Sequence, residues 1–216
     1  MTRMRRFGYS GRRHAFRAIS LVLREGSSRP LIPLIVDLLF VVFVLTELLM
    51  RRGGEAKRLE STPEDKASTR LIGLSYAGAV VLIIVTSVTN VGAFTNIVVG
   101  LVGVAVMLLG LGLRFWSMGV LGRYYSRTLR VVDGQRVVRE GPYRLVRHPG
   151  YLSSLCIWVG SAFGFQNLIL ICTFSVGFAA VYVYRIRVEE KMLSNEFGIE
   201  YDDYVAKSWK LIPFIY

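Results

Sequence analysis

The chain has 216 residues, 53% of them hydrophobic, a mean hydropathy of +0.45 and a formal charge of +12 at pH 7. A soluble domain of this size carries more polar residues, and the apolar ones here run in long blocks, so a membrane protein is expected. The basic surplus flanks those blocks, as in loops that face anionic headgroups, and with no nucleic-acid motif beside it, it argues against a nucleic-acid partner.

Residues 1–29 form a basic segment in which His14 to Leu23 fits a short interfacial helix and no signal peptide is expected. His14 reads as a solvated surface residue. The first span is "PLIPLIVDLLFVVFVLTELLM", Pro30 to Met50, long enough for a hydrocarbon core of about 30 Å. Asp37 and Glu47 lie near its ends, where they can snorkel, cap or pair. A charged linker, 51–70, leads to a second span from Leu71 to Val91, then "GAFTN", then a third from Ile97 to Gly119. The glycines of "GLVGVAVMLLGLG" in that third span read as close helix packing, not as a nucleotide loop, because GxGxxG is absent. Arg114 near its end is expected to face a polar cavity or the interface.

"TLRVVDGQRVV" predicts a β-hairpin around Asp133-Gly134. Apolar runs from Tyr151 to Phe165 and from Leu168 to Tyr184 predict a helical hairpin turning at Gln166-Asn167. The tail predicts a helix leaving the membrane and a compact polar segment. Cys156 and Cys172 lie in apolar segments, as small core residues would, with no zinc or disulfide pattern. The expected fold is therefore all-α and membrane-embedded, with about five transmembrane helices and a basic N-terminal segment, 1–29. Spans one to three fill 30–120, and a functional region fills 121–216.

Five spans place the 51–70, 123–150 and 185–216 segments on one side. These hold six, seven and five Arg and Lys, eighteen together, which points to the cytoplasmic face. The same count puts eight N-terminal arginines outside, so either the first span is misread or those charges are outvoted.

Two polar clusters share that side. The first is "GPYRLVRHPGY", Gly141 to Tyr151, where Pro149 suits the first turn of a helix. Free N–H groups and the positive end of the helix dipole are expected there. Arg139, Arg144 and Arg147 add charge. Arginines alone would only anchor a helix at the headgroups; Tyr143, His148 and Tyr151 so close together ask for more. The second is "RIRVEEKM", in which Arg185 and Glu189 share a helical face. They either pair with each other or grip opposite charges on a ligand.

With "GPYRLVRHPGY", an apolar hairpin, "RIRVEEKMLSNEFGIEYDDY" and a closing "LIPFI", residues Leu121 to Ile215 resemble the isoprenylcysteine carboxyl methyltransferase family of integral membrane enzymes. The short, arginine-rich form resembles its prokaryotic members. The resemblance implies methyl transfer from S-adenosylmethionine, with a cytoplasmic cofactor pocket built from a short hairpin and the C-terminal helices. It implies cofactor contacts at Gln135, Arg136, Val137 and Val138, at Tyr143, at His148, Pro149, Gly150 and Tyr151, and at Glu189, with a looser match near Thr128. It associates Arg185 with the substrate, makes Arg185 and Glu189 the catalytic pair, and needs no metal. Family members from eukaryotes typically have histidine where this chain has Gln135 and serine where it has Gly150, which leaves the substrate open.

The chemistry agrees. Glu189 suits an α-ammonium, while His148 and backbone N–H groups suit a carboxylate. Arg185 suits a bidentate hold on a carboxylate acceptor. The expected partners are a lipophilic substrate entering from the bilayer, and membrane lipids. Two other functions remain open: N-, S- or O-methylation of a phospholipid or small lipophilic acceptor, which does not require Arg185, and a non-enzymatic anionic-lipid-binding protein, which tolerates loss of Glu189. A transporter fits less well, since no span carries paired midplane charges or a repeat.

Overall fold

The computed structural model describes residues 31–49, 63–122 and 136–215. The expected interfacial helix and His14, most of the 51–70 linker, Thr128, Gln135 and the turn of the predicted β-hairpin lie outside these residues. The described arm of that hairpin, 136–139, forms no strand, and the described residues as a whole contain no strand, just two isolated bridges.

Six α-helices carry the described fold. They are α1 (Leu31–Leu49), α2 (Pro63–Thr89), α3 (Ile97–Leu121), α4 (Pro149–Gly164), α5 (Leu168–Phe197) and α6 (Ile199–Ala206), with a 3-10 turn at Gly141–Arg144. Among the described residues, three segments are long and apolar enough to cross a membrane: Ala67–Thr89, Ile97–Leu121 and Leu168–Phe197. α4 has 16 residues, about 24 Å at 1.5 Å per residue, which is shorter than a hydrocarbon core of about 30 Å.

One boundary differs from expectation. The linker expected over 51–70 is already helical from Pro63, because a proline at the first helical position costs no hydrogen bond. The helix expected to leave the membrane after Tyr184 is continuous with the span before it: α5 runs 30 residues to Phe197, since its polar end keeps good helix formers until Gly198, at φ +53°, ends it.

The turn at Gln166-Asn167 is where the sequence placed it. The Asn167 side chain caps α5 by accepting from the Leu170 N–H, and Asn96 caps α3 in the same way. The two turns also hold each other. Gln166 accepts from the Asn96 N–H at 2.6 Å, and the Asn167 amide donates to the Val91 carbonyl at 2.9 Å. This pins the α2–α3 and α4–α5 turns together at one end of the bundle, so the polar clusters gather at the other.

α3 and α4 touch backbone to backbone, as the glycines predict. A Cβ on Gly103 would lie 2.2 Å from the Gly164 nitrogen, and one on Gly160 would lie 2.8 Å from the Met107 nitrogen. The opposite face of α4 presents Trp158, whose indole meets Phe178 at 4.8 Å, Phe40 at 4.9 Å and Tyr76 at 5.0 Å between ring centroids. One residue of α4 thus joins α1, α2 and α5. From there the rings of Phe178, Tyr182 and Tyr151 stack in a column toward the polar end.

A buried ion pair fixes the start of α4. Arg114 on α3 donates to Glu47 on α1, and both side chains are near 10% exposed. Arg114 also donates to the Gly150 carbonyl at 3.0 Å and to the Ser154 hydroxyl at 3.3 Å. The polar surroundings expected for Arg114 are therefore supplied from within the bundle.

Candidate active site

The first turn of α4 and the polar end of α5 meet at the Tyr151 hydroxyl. It donates to Glu189 Oε2 at 2.7 Å and accepts from Arg185 Nε at 3.2 Å. Arg185 and Glu189 share a face of α5, as their spacing predicts, and a tyrosine from another helix links them. His148, buried, stacks on Tyr151 with ring centroids 5.8 Å apart. Its Nδ1 lies 3.9 Å from Glu189 and its Nε2 lies 3.4 Å from Glu190. His148 Nε2 makes no hydrogen bond.

The two adjacent glutamates have different partners. Glu190 is saturated: Arg147 Nε and Lys210 Nζ each reach it at 2.9 Å, and His148 faces it as well. Glu189 receives the Tyr151 hydroxyl on one oxygen and faces the His148 ring at longer range. A carboxylate held mainly by a neutral phenol retains charge for a ligand, whereas one ringed by cations is already neutralised.

Arg185 is 1% exposed. Its Nη1 donates to the hydroxyls of Ser68, also fully buried, and Thr69, the latter at 3.0 Å. These two residues from the start of α2 were hidden in what the sequence presents as a charged linker. A bidentate hold on a substrate carboxylate requires them to release the guanidinium.

Several N–H groups around the start of α4 are already engaged. The Arg147 and His148 N–H groups donate to the carbonyls of Trp209 and Lys210 at 2.8 and 3.3 Å, and those of Tyr151 and Leu152 return to the His148 carbonyl. The C-terminal segment takes the Arg147 and His148 N–H groups because the chain returns across the helix entrance. Arg147 adds bonds to the carbonyls of Val205, at 3.1 Å, and Ser208.

The remaining expected residues are dispersed. Arg136 is exposed and pairs with Glu140 at 2.8 Å. Val137 and Val138 are half-buried without regular structure. Tyr143 lies in the 3-10 turn, where its carbonyl accepts from the Tyr204 hydroxyl at 2.6 Å. Pro149 is buried, and a Cβ on Gly150 would meet nothing nearer than Arg114 Nη1 at 3.6 Å, so that position accepts a serine. Arg139 pairs with Asp203 on α6 at 2.8 Å, and Arg144 is exposed.

Tyr201 on α6 was not singled out in the sequence. Its hydroxyl is buried with no hydrogen-bond partner. Burial first, then the charges of Glu190 and Glu189, push it well above the ordinary phenol value. Burial likewise raises Tyr204 to about 12.

A helical membrane bundle with a charged, tyrosine-linked site at one end is the class this architecture defines. The sequence model of the isoprenylcysteine carboxyl methyltransferase family matches residues 101–195. A probable protein-S-isoprenylcysteine O-methyltransferase of Oryza sativa subsp. indica is 30% identical over 156 residues, covering 69% of this chain and 81% of the rice protein. Protein-S-isoprenylcysteine O-methyltransferase A of Arabidopsis thaliana is 24% identical over 200 residues, covering 90% of this chain and 98% of that one. The solved structure of a eukaryotic intramembrane Ras methyltransferase of this family superposes with a TM-score of 0.52 at 27% identity, over 54% of this chain. The chain spans 43% of that protein's length. The chain belongs to the isoprenylcysteine carboxyl methyltransferase family and is an integral membrane methyltransferase.

Proposed function

We propose that this chain transfers a methyl group from S-adenosylmethionine to the carboxylate of an isoprenylcysteine or similar lipophilic acceptor. The observation that carries the reading is the Tyr151 hydroxyl joining Arg185 to Glu189 beside His148. The residues fit the donor. Glu189 suits its α-ammonium, and His148 Nε2, buried without a hydrogen bond, suits its carboxylate. When bound, the donor would supply a methyl on a sulfonium, from which a neutral thioether leaves as the methyl passes to the acceptor.

The chain's own contribution is alignment and exclusion of water. Tyr151 fixes the Glu189 carboxylate, and Arg185 delivers positive charge to the site through that hydroxyl. A carboxylate acceptor is already a nucleophile, so no residue has to take a proton. Gln135, Arg136, Val137, Val138, Tyr143, Pro149 and Gly150 complete the cradle in this reading. Residues 121–216 form its catalytic region, 30–120 its membrane scaffold and 1–29 a basic extension. In this reading the chain crosses the membrane several times, and the eighteen Arg and Lys counted above favour the cytoplasmic face for the site over the eight N-terminal arginines that oppose it.

The enclosure of Arg185 by Ser68 and Thr69 favours a second reading, in which the acceptor is an amine, thiol or phenol on a lipid and needs no free guanidinium. Arg185→Lys separates the two: carboxylate methylation falls with it and amine methylation does not. The test of the donor site is calorimetry of S-adenosylhomocysteine with the detergent-purified chain. Wild type binds, and Glu189→Gln loses about ten- to a hundredfold, the value of a hydrogen bond to a charged group. No binding to folded wild type overturns both enzymatic readings and leaves lipid binding as the role of the arginine clusters.

A further inference from the structure

Residues 207–215 form a strap across the entrance of α4. Its inner edge is polar and fully engaged. Trp209 pairs with Val146 as a bridge, the Trp209 N–H donates to the Leu145 carbonyl at 2.9 Å, and the strap carbonyls take the Arg147 and His148 N–H groups. Lys210 locks the strap to Glu190 on α5.

Its outer edge has the opposite character. Trp209 is 41% exposed, Phe214 85% and Ile215 78%, and the adjoining Leu145 is 62% exposed. The rings of Trp209 and Phe214 touch at 5.4 Å. Large apolar side chains grouped like this mark an interaction surface. The location and charge of the group select its occupant. The strap lies at the entrance of α4, at the polar end of the bundle where the apolar run of α5 gives way to charged residues. Tryptophan is enriched at that depth. Arg144 alongside is an exposed cation, and Lys207, paired with Asp203, is a second, which suits anionic phosphates.

We propose that Leu145, Trp209, Phe214 and Ile215 form an anchor lying in the headgroup–acyl boundary of the bilayer, and that this anchoring holds the strap closed over the entrance of α4. The partner is the lipid surface itself. The inference is independent of the methyl donor and of the acceptor.

The experiment uses the full chain in nanodiscs of phosphatidylcholine and phosphatidylglycerol whose acyl chains carry bromine either near the headgroup or near the chain end. The chain has three tryptophans, so the Trp209 contribution is the difference between wild type and Trp209→Phe. The expected result is a Trp209 component quenched more by shallow bromine than by deep bromine. Phe214→Ser/Ile215→Ser, which removes apolar surface without touching the inner edge, is expected to lose that shallow quenching. It is also expected to speed hydrogen exchange at the Arg147 and His148 amides. A Trp209 component untouched by either bromine overturns the proposal. So does a loss of dimer mass in the Ser/Ser variant by light scattering, which would assign the surface to a second copy of the chain. Shallow quenching with unchanged amide exchange overturns the coupling between anchor and strap.

Discussion

Arg114→Met isolates the buried pair that fixes the start of α4. The substitution keeps side-chain bulk and removes a buried partner of Glu47, together with the bonds to Gly150 and Ser154. Both side chains of the pair are near 10% exposed, so water offers Glu47 little compensation. Removing one member of such a pair costs about 3–5 kcal/mol. At about 2–4 °C per kcal/mol for a chain of this length, the midpoint falls by about 6–20 °C. The Gly150 carbonyl keeps the Ser153 and Ser154 hydroxyls, so part of the first turn survives. The assay is thermal unfolding in detergent followed by tryptophan fluorescence, at low and high salt, because a pair this enclosed should be little screened. The companion is Glu47→Leu/Arg114→Met. With both charges gone, it should recover most of the loss, since replacing a whole buried pair by apolar groups is often neutral. A wild-type midpoint for Arg114→Met, or a double variant as unstable as the single one, would refute the assignment of this pair as a buried clamp.

Three further outcomes follow from the packing and the charges. Gly103→Ala places a Cβ against the Gly164 backbone nitrogen, so α3 and α4 must separate. A loss of about 1–3 kcal/mol is expected in the same assay, while Gly112→Ala, where a Cβ meets nothing, is neutral or slightly stabilising. Gly150→Ser leaves both the midpoint and S-adenosylhomocysteine binding at wild-type values, since the nearest atom to the added Cβ is 3.6 Å away. The carboxyl of Asp203 is held below the usual range by hydrogen bonds from Lys207 first and Arg139 second. A depressed carboxylate stabilises the fold above its unfolded value, near 3.9, and loses that contribution as pH falls through the folded value. The difference in midpoint between wild type and Asp203→Asn is therefore steady at neutral pH and closes below about pH 4. A difference that grows on acidification contradicts this ion pairing.

Much of the architecture was legible in the chain itself. Long apolar runs have one stable solution in lipid, the helix, because each backbone group must find its partner within the segment. Hence α3, α5 and the Gln166-Asn167 turn fall where the pattern puts them. The close approach of α3 and α4 was legible too, since glycines spaced along a helix leave room for a neighbouring backbone. The family resemblance located His148, Tyr151, Arg185 and Glu189, and α4 and α5 bring these four together.

What tertiary structure decided is the partner of each polar group. Glu189 and Glu190 are adjacent and chemically alike. The return of the C-terminal strap gives Glu190 to Arg147 and Lys210, and leaves Glu189 to Tyr151. The same return takes the Arg147 and His148 N–H groups just before the helix entrance. Ser68 and Thr69 carry no sequence signal of a role, because their role comes from a helix more than a hundred positions away. Glu47 and Arg114 look like separate liabilities in two spans until α1 and α3 lie side by side. Periodicity records the solvent each residue must face, and so fixes helices. Charge pairing depends on which helix ends meet, which is settled when the bundle closes.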